Sequence, residues 1–268
     1  MSSKEAIQSY DAIGRVTLVG AGPGAIDLIT LRGQHSLMEA DVVVYDDLAN
    51  TELLDFCPPE ATRIYIGKRA GKNCTSQEEI GEILVREAGQ GRHIVRLKGG
   101  DPLIFGRGGE EARVLAEAGI PFEIVPGVTA AAAAGAMAGI PLTQRGYASA
   151  VVFVTGHECH GKTPAASVDW RALARTGATL CIYMGGRRLE VIAAELRAGG
   201  LAGSTPVAVV TRATLPDQTV RIADLDAAAT LTPEPGLPAL IIVGEVVRIA
   251  EVLPLAMAEV RTAGAAGR

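Results

Sequence analysis

The sequence predicts an α/β protein in two parts, with a parallel sheet in its first half and a mixed sheet in its second. Three observations carry this. From residue 15 to 118, strand-like apolar runs alternate with helical patterns, and such alternation builds right-handed βαβ units on a parallel sheet. Pro126-Gly127 then interrupts the chain, and an Ala-rich stretch follows. Beyond it, two short strand candidates flank Pro216-Asp217 and read as a hairpin, so the second sheet contains antiparallel pairing.

Taken in order, the first strand is 15–20, built on the apolar run Val16 to Val19 and followed by Gly20-Ala21-Gly22-Pro23-Gly24. Helical periodicity resumes only near Thr30-Leu31, giving a helix at 30–40. Strands at 41–45, 62–66, 93–98 and 122–125 alternate with helical patterns near 50–55, 76–89 and 108–118. The helix at 76–89 opens on Ser76 with Glu79 three residues later, the pattern of a capping box. The junction is placed near 125–130, giving a domain 15–127 and a domain 128–253, with flexible ends at 1–14 and 254–268. The second domain begins with a helix at 129–138, then strands at 149–155, 178–183, 206–211, 218–223 and 239–244. No repeat of solenoid period is present.

Composition narrows the function classes. Of 268 residues, 48% are hydrophobic but only 4% aromatic, and 32 are glycine; this suits close-packed helices on sheets. The least polar stretch, Val125 to Leu142, is broken by Pro126 and Pro141 and is too short to cross a bilayer. Met1 to Asp11 is polar and lacks a signal-peptide core, so a cytoplasmic enzyme is expected. Cys57, Cys74, Cys159 and Cys181 form no CxxC pair and read as reduced structural thiols. A net charge of −5 argues against nucleic-acid binding. Locally, Lys68, Arg69, Lys72, Arg92, Arg96, Lys98 and Arg107 form a basic zone, part solvated surface and part ligand-facing.

Chemistry collects at four successive strand ends. The glycine loop follows the first strand, Asp46 closes Val42 to Tyr45, Lys68 follows Ile66-Gly67, and Gly99-Gly100-Asp101-Pro102 follows His93 to Lys98. Ligands of open α/β sheets bind outside the carboxyl ends of the strands, so these groups describe one site. Gly20-x-Gly22-x-x-Ala25 with Asp46 further on satisfies the dinucleotide fingerprint as a bare pattern. However, Pro23-Gly24 and the extra residues 25–29 withhold the helix N-terminus that a pyrophosphate needs. The loop favours another adenosyl ligand and leaves a nicotinamide oxidoreductase as the alternative. His157-Glu158-Cys159-His160 is not HExxH, since Gly161 stands where the second His belongs; no metal is expected.

The chain resembles the uroporphyrinogen-III C-methyltransferases of the tetrapyrrole methylase family. The resemblance lies in 19–24, Val44-Tyr45-Asp46-Asp47-Leu48, Gly67-Lys68-Arg69-Ala70-Gly71 and above all the block from Arg96 to Glu111. It continues through Pro126 to Ala130, Pro141-Leu142-Thr143, Thr155-Gly156-His157, Tyr183-Met184 and Ile242 to Val247. Three places depart from the family pattern. Gln144 stands where His is usual, Asn73-Cys74 occupies a region that commonly has His, and Ala49-Asn50 lacks the usual apolar pair.

The resemblance implies a class III methyltransferase fold, two α/β domains with the cofactor cleft between them, and a homodimer. It implies S-adenosylmethionine as methyl donor and methylation of uroporphyrinogen III at C2 and C7, giving precorrin-2 by way of precorrin-1 for sirohaem or cobalamin synthesis. A methylase of a later corrin intermediate is the near alternative. Donor contacts fall by analogy on Pro23, Gly99, Gly100, Asp101, Ile104, Thr129, Ala130, Met184 and Ala213. Asp46 becomes the proton acceptor and Lys68 the proton donor, unless the two form an ordinary ion pair. Gly99 to Pro102 also reads as a plain turn, Met184 as core and Thr129 as a helix cap. The acceptor carries eight carboxylates, for which Arg107, Arg145, Arg187, Arg188 and Arg212 are the candidate partners. Some relatives are fused to a dehydrogenase–chelatase module, and at 268 residues that work is expected of another protein.

Overall fold

Five parallel strands form the first sheet: β1 (Arg15–Gly20), β2 (Val42–Tyr45), β3 (Thr62–Tyr65), β4 (His93–Lys98) and β5 (Phe122–Val125). Their order is β3-β2-β4-β1-β5, so β1 lies between β4 and β5. The computed structural model describes residues 13–67, 75–157, 167–253 and 260–262. Its contacts divide the chain into two units, Met1–Val128 and Thr129–Arg268.

In the first unit both sheet faces are covered, which is why β4 reads as a continuous buried run rather than an alternating one. Helix α1 (Leu31–Met38) covers one face, where Leu37 packs with Val19, Val43, Val95 and Leu97. Helices α2 (Gln77–Ala88) and α3 (Gly108–Glu117) cover the other, where Leu84 and Leu115 meet Leu18, Val44 and Ile94. The capping box is present: the Glu79 amide donates to Ser76 Oγ at 3.1 Å, and the Ser76 amide donates to Glu79 Oε2 at 2.7 Å. Such a cap contributes about 1 kcal/mol. The pattern at 50–55 forms a 3-10 helix, Thr51–Phe56, rather than an α-helix.

The second unit opens on α4 (Ala130–Met137), followed by β6 (Val151–Thr155), α5 (Trp170–Ala174), β7 (Thr179–Tyr183) and α6 (Leu189–Ala198). Strands β8 (Pro206–Thr211), β9 (Thr219–Asp224), β10 (Ala239–Val243) and β11 (Val260–Thr262) complete it. The order is β11-β9-β8-β10-β7-β6. β6 pairs parallel with β7 and β9 with β11, while β8 pairs antiparallel with both β9 and β10, and β10 with β7. The sheet is therefore mixed, and β8–β9 is the hairpin expected around Pro216-Asp217. Cys57 and Cys181 are buried free thiols; Cys74 and Cys159 lie outside the described residues. Among the described residues, no helix is long and apolar enough to cross a membrane.

At the amino edge of the first sheet His93 is buried with both ring nitrogens engaged. Nδ1 lies 3.0 Å from the Glu39 carbonyl and Nε2 2.9 Å from Thr17 Oγ1. A neutral imidazole satisfies both, donating to the carbonyl and accepting from the hydroxyl. Burial pushes its pKa below 6.5. In the window just below pH 6.5 the unfolded chain therefore binds a proton that the native chain refuses, so this group makes stability fall as pH falls. His93→Gln should be less stable than the parent at pH 7.5, and the gap should narrow toward pH 5, as urea denaturation at the two pH values would measure.

Candidate active site

All strands of the first sheet are parallel, so the loops after β1, β2 and β4 emerge at one edge. Three sets of hydrogen bonds lock them to one another and to the segment after β5. Gly22 and Gly100 exchange amide hydrogen bonds, at 3.2 Å from Gly22 N to Gly100 O and 2.6 Å in return, while the Ala21 amide donates to Lys98 O at 2.7 Å. The Asn50 side chain donates to Gly24 O at 2.8 Å. Asp101 braces the third side: Oδ1 accepts from the Leu103 amide at 2.9 Å and Oδ2 from the Gly127 amide at 3.0 Å.

The glycines at this seam answer to the chain itself. A Cβ on Gly20 would stand 2.6 Å from Gly127 Cα, and one on Gly99 would stand 2.6 Å from Leu48 Cβ. Gly99 thus admits Leu48, a contact that the donor-approach reading of the sequence did not foresee; Gly100, at φ 67, fits the left-handed conformation its turn requires. After the loop, a 3-10 helix at Ile26–Leu28 precedes α1, whose cap is Thr30. No long helix starts at the glycine loop, which removes the pyrophosphate support that a dinucleotide site uses. Half-exposed Gly99 and Gly100, the half-buried Pro23 and the braced Asp101 leave backbone available at this edge, in keeping with an adenosyl ligand.

Asp46 stands at the end of β2 with its side chain 27% exposed. Oδ1 accepts from the Leu48 amide at 3.0 Å, and Oδ2 accepts from Arg96 Nη2 at 2.8 Å. Arg96 is itself 4% exposed, and its Nε donates to Glu111 Oε1 at 3.2 Å. Lys98, 5% exposed, donates to both oxygens of the fully buried Glu111, each at 2.9 Å. Burial first, and then the Arg96 charge, pull the Lys98 pKa down against the opposing pull of Glu111. Arg96 and Lys98 belong to the basic zone that the sequence suggested, but here they pair with Glu111 of α3, which also accepts from Gln77 of α2, rather than facing solvent. The available signal was a pair of cations two apart on an apolar strand, followed by an acid in the next helix. Beside this edge Tyr65 donates to Asp47, a bond that pushes the phenol up to about 12. Lys68 lies outside the described residues.

Farther along the loop after β4, Ile104 is half-buried. Arg107, left-handed at φ 59, forks onto Glu110 at 2.8 and 2.7 Å and holds that carboxyl below its usual range.

In the second unit, β6, β7 and β8 end at one edge. Thr129 precedes α4 but does not cap it: its hydroxyl lies 2.7 Å from Tyr183 Oη, which also accepts from the Ala131 amide at 3.1 Å. Ala130 is the first residue of α4. Met184, 54% exposed and left-handed at φ 55, is not core. Ala213 lies between left-handed Arg212 (φ 51) and Thr214 (φ 73). Non-glycine residues in this conformation collect at ligand clamps and active sites. Arg212 pairs with Asp217 at 2.6 Å and lowers that carboxyl's pKa. Arg188 donates to Gly156 O at 3.3 Å. Arg187 and Arg145 are exposed, Arg145 in the turn closed by Gln144 and Ala148. No cluster of three His, Cys, Asp or Glu suited to a metal occurs among the described residues, and Glu158, Cys159 and His160 lie outside them. Gly20→Ala should force the seam apart and destabilise the fold by about 1–3 kcal/mol, measured by urea denaturation.

The model of the tetrapyrrole (corrin/porphyrin) methylases matches residues 15–229. A siroheme synthase of Baumannia cicadellinicola subsp. Homalodisca coagulata is 52% identical over 237 residues, covering 88% of this chain and 51% of that protein. Siroheme synthase 1 of Yersinia pseudotuberculosis is 52% identical over 240 residues, covering 90% and 50%. The chain thus spans about half the length of the curated relatives it matches. Among solved structures, the uroporphyrin-III C-methyl transferase of Thermus thermophilus complexed with S-adenosyl homocysteine superposes with a TM-score of 0.75 at 43% identity, covering 88% of this chain and all of that one. A cobalt precorrin-4 methyltransferase of cobalamin biosynthesis gives 0.77 at 29%, covering 87% and 95%. The chain belongs to the tetrapyrrole (corrin/porphyrin) methylase family.

Proposed function

We propose that this protein transfers two methyl groups from S-adenosylmethionine to uroporphyrinogen III, at C2 and C7, giving precorrin-2 by way of precorrin-1. The product feeds sirohaem or cobalamin synthesis, and the enzyme acts as a cytoplasmic homodimer. The observation that carries the reading is a carboxylate at the carboxyl edge of the parallel sheet, Asp46, beside loops built from packed glycines. The higher identity to the uroporphyrin-III enzyme, 43% against 29%, favours this acceptor over a later corrin intermediate.

The donor supplies an activated methyl on its sulfonium. The chain's own task is alignment: the braced loops at Gly22, Gly100 and Asp101 hold their positions before any ligand arrives, and such preorganisation lowers a transfer barrier by several kcal/mol. Pro23, Gly99, Gly100, Asp101 and Ile104 are the proposed donor contacts of the first unit. Thr129, Ala130, Met184 and Ala213 are those of the second. For Asp101 the contact falls to the surrounding loop, since both its oxygens already serve backbone amides. When a pyrrole carbon takes the methyl, the ring system becomes cationic and must lose a proton. Asp46 accepts it, having an exposed edge and a fixed orientation, and Lys68 returns a proton. Arg107, Arg145, Arg187, Arg188 and Arg212 are the proposed partners of the acceptor's carboxylates. Arg107 and Arg212 would exchange Glu110 and Asp217 for the ligand.

Anaerobic incubation with S-adenosylmethionine and uroporphyrinogen III should yield a product heavier by two methyl groups; an unmethylated acceptor with donor still bound would redirect the reading to later corrin intermediates. Asp46→Asn should lower kcat by roughly 100-fold, within the range of lost acid–base catalysis, and leave S-adenosylhomocysteine affinity unchanged in an equilibrium titration.

A further inference from the structure

Resting on the reading of Asp46 as proton acceptor, the geometry points to Arg96 as a positioning residue for the reaction, held in place by Glu111 and Lys98. Asp46 follows β2 in a loop, and the backbone anchors its side chain through the Leu48 amide on Oδ1. The other oxygen takes its direction from Arg96 Nη2 at 2.8 Å. Arg96 has little freedom to give: Nη1 donates to Leu97 O at 2.8 Å and Nε to Glu111 Oε1 at 3.2 Å. Glu111 is fixed in turn by Lys98 at 2.9 Å to each oxygen and by Gln77 Nε2 at 3.2 Å. The chain of bonds runs from α3 across one face of the sheet and ends on the Asp46 carboxylate at its edge.

Packing alone does not call for these residues. Ile94 occupies the same face of β4 and joins the apolar core, and apolar side chains of similar volume often replace buried ion pairs with no loss of stability. The choice of arginine is also informative. Its planar fork lets Nε reach Glu111 while Nη2 reaches Asp46, whereas a lysine offers one point charge.

Arg96→Lys keeps a cation beside Glu111 and so preserves the charge balance on which folding depends, but a single ammonium cannot hold both carboxylates. In the full chain this variant should lose roughly 10–100-fold in kcat, the scale of a displaced reacting group. Its acceptor KM and its S-adenosylhomocysteine affinity should stay within about twofold of the parent. In an Asp46→Asn background the same substitution should cost nothing further, because its effect passes through Asp46. A cooperatively folded Arg96→Lys enzyme with parental kcat would overturn the inference, as would losses that add in the double variant. If Arg96→Lys does not fold, Arg96→Met, which leaves Lys98 to neutralise Glu111, takes its place under the same criteria. An Asp46→Asn enzyme of parental kcat would instead remove the proton-acceptor reading, and this inference with it.

Discussion

Two cations lie on one face of the central strand β4, and the site edge depends on how they are neutralised. Arg96 and Lys98 are almost wholly withdrawn from water, a transfer that costs several kcal/mol per ion unless charges and hydrogen bonds compensate it. Glu111 supplies most of that compensation from the first turn of α3, and Asp46 supplies the remainder from the end of β2. The position of α3, the side-chain conformations on β4 and the direction of the Asp46 carboxylate are therefore one solution. Removing either acid alone leaves a buried cation under-compensated, so none of the four residues can drift independently.

A second constraint acts on the backbone. Gly20 and Gly22 at the end of β1, Gly100 after β4 and Gly127 after β5 bring their main chains too close for a side chain to intervene. The result is a rigid edge composed largely of peptide groups. That differs from a dinucleotide site, where a similar glycine run feeds directly into a helix. Here the 3-10 helix and Thr30 cap intervene, so the same residue types serve loop-to-loop packing.

Much of the architecture was legible in the sequence. Strand periodicity, the capping box at Ser76 and the Pro216-Asp217 hairpin are local signals, and local signals survive folding. The order β3-β2-β4-β1-β5 was not legible, because parallel partners meet across long stretches of chain and no short-range pattern encodes the choice. The candidate site was legible in residue type but not in allegiance. Gly99 read as a backbone approach for a ligand, and its lack of a side chain also makes room for Leu48. Thr129 looked like a cap and proved to be a partner of Tyr183. Arg96 and Lys98 read as part of a basic zone of surface or ligand-facing charge, since their compensating acid comes from a later element. In each case the deciding neighbour is distant in sequence.

The placement of β1 also bears on how the protein is made. β1 pairs Arg15 with His93 on one side and Val16 with Phe122 on the other, so the strand carrying the glycine loop has no sheet partner until β4 has been synthesised. At ribosomal speeds that interval is roughly 4–16 seconds. Meanwhile β2 and β3 can pair with each other but with nothing between them and β1. The nascent chain thus carries an unpaired apolar strand for longer than most elementary folding steps last.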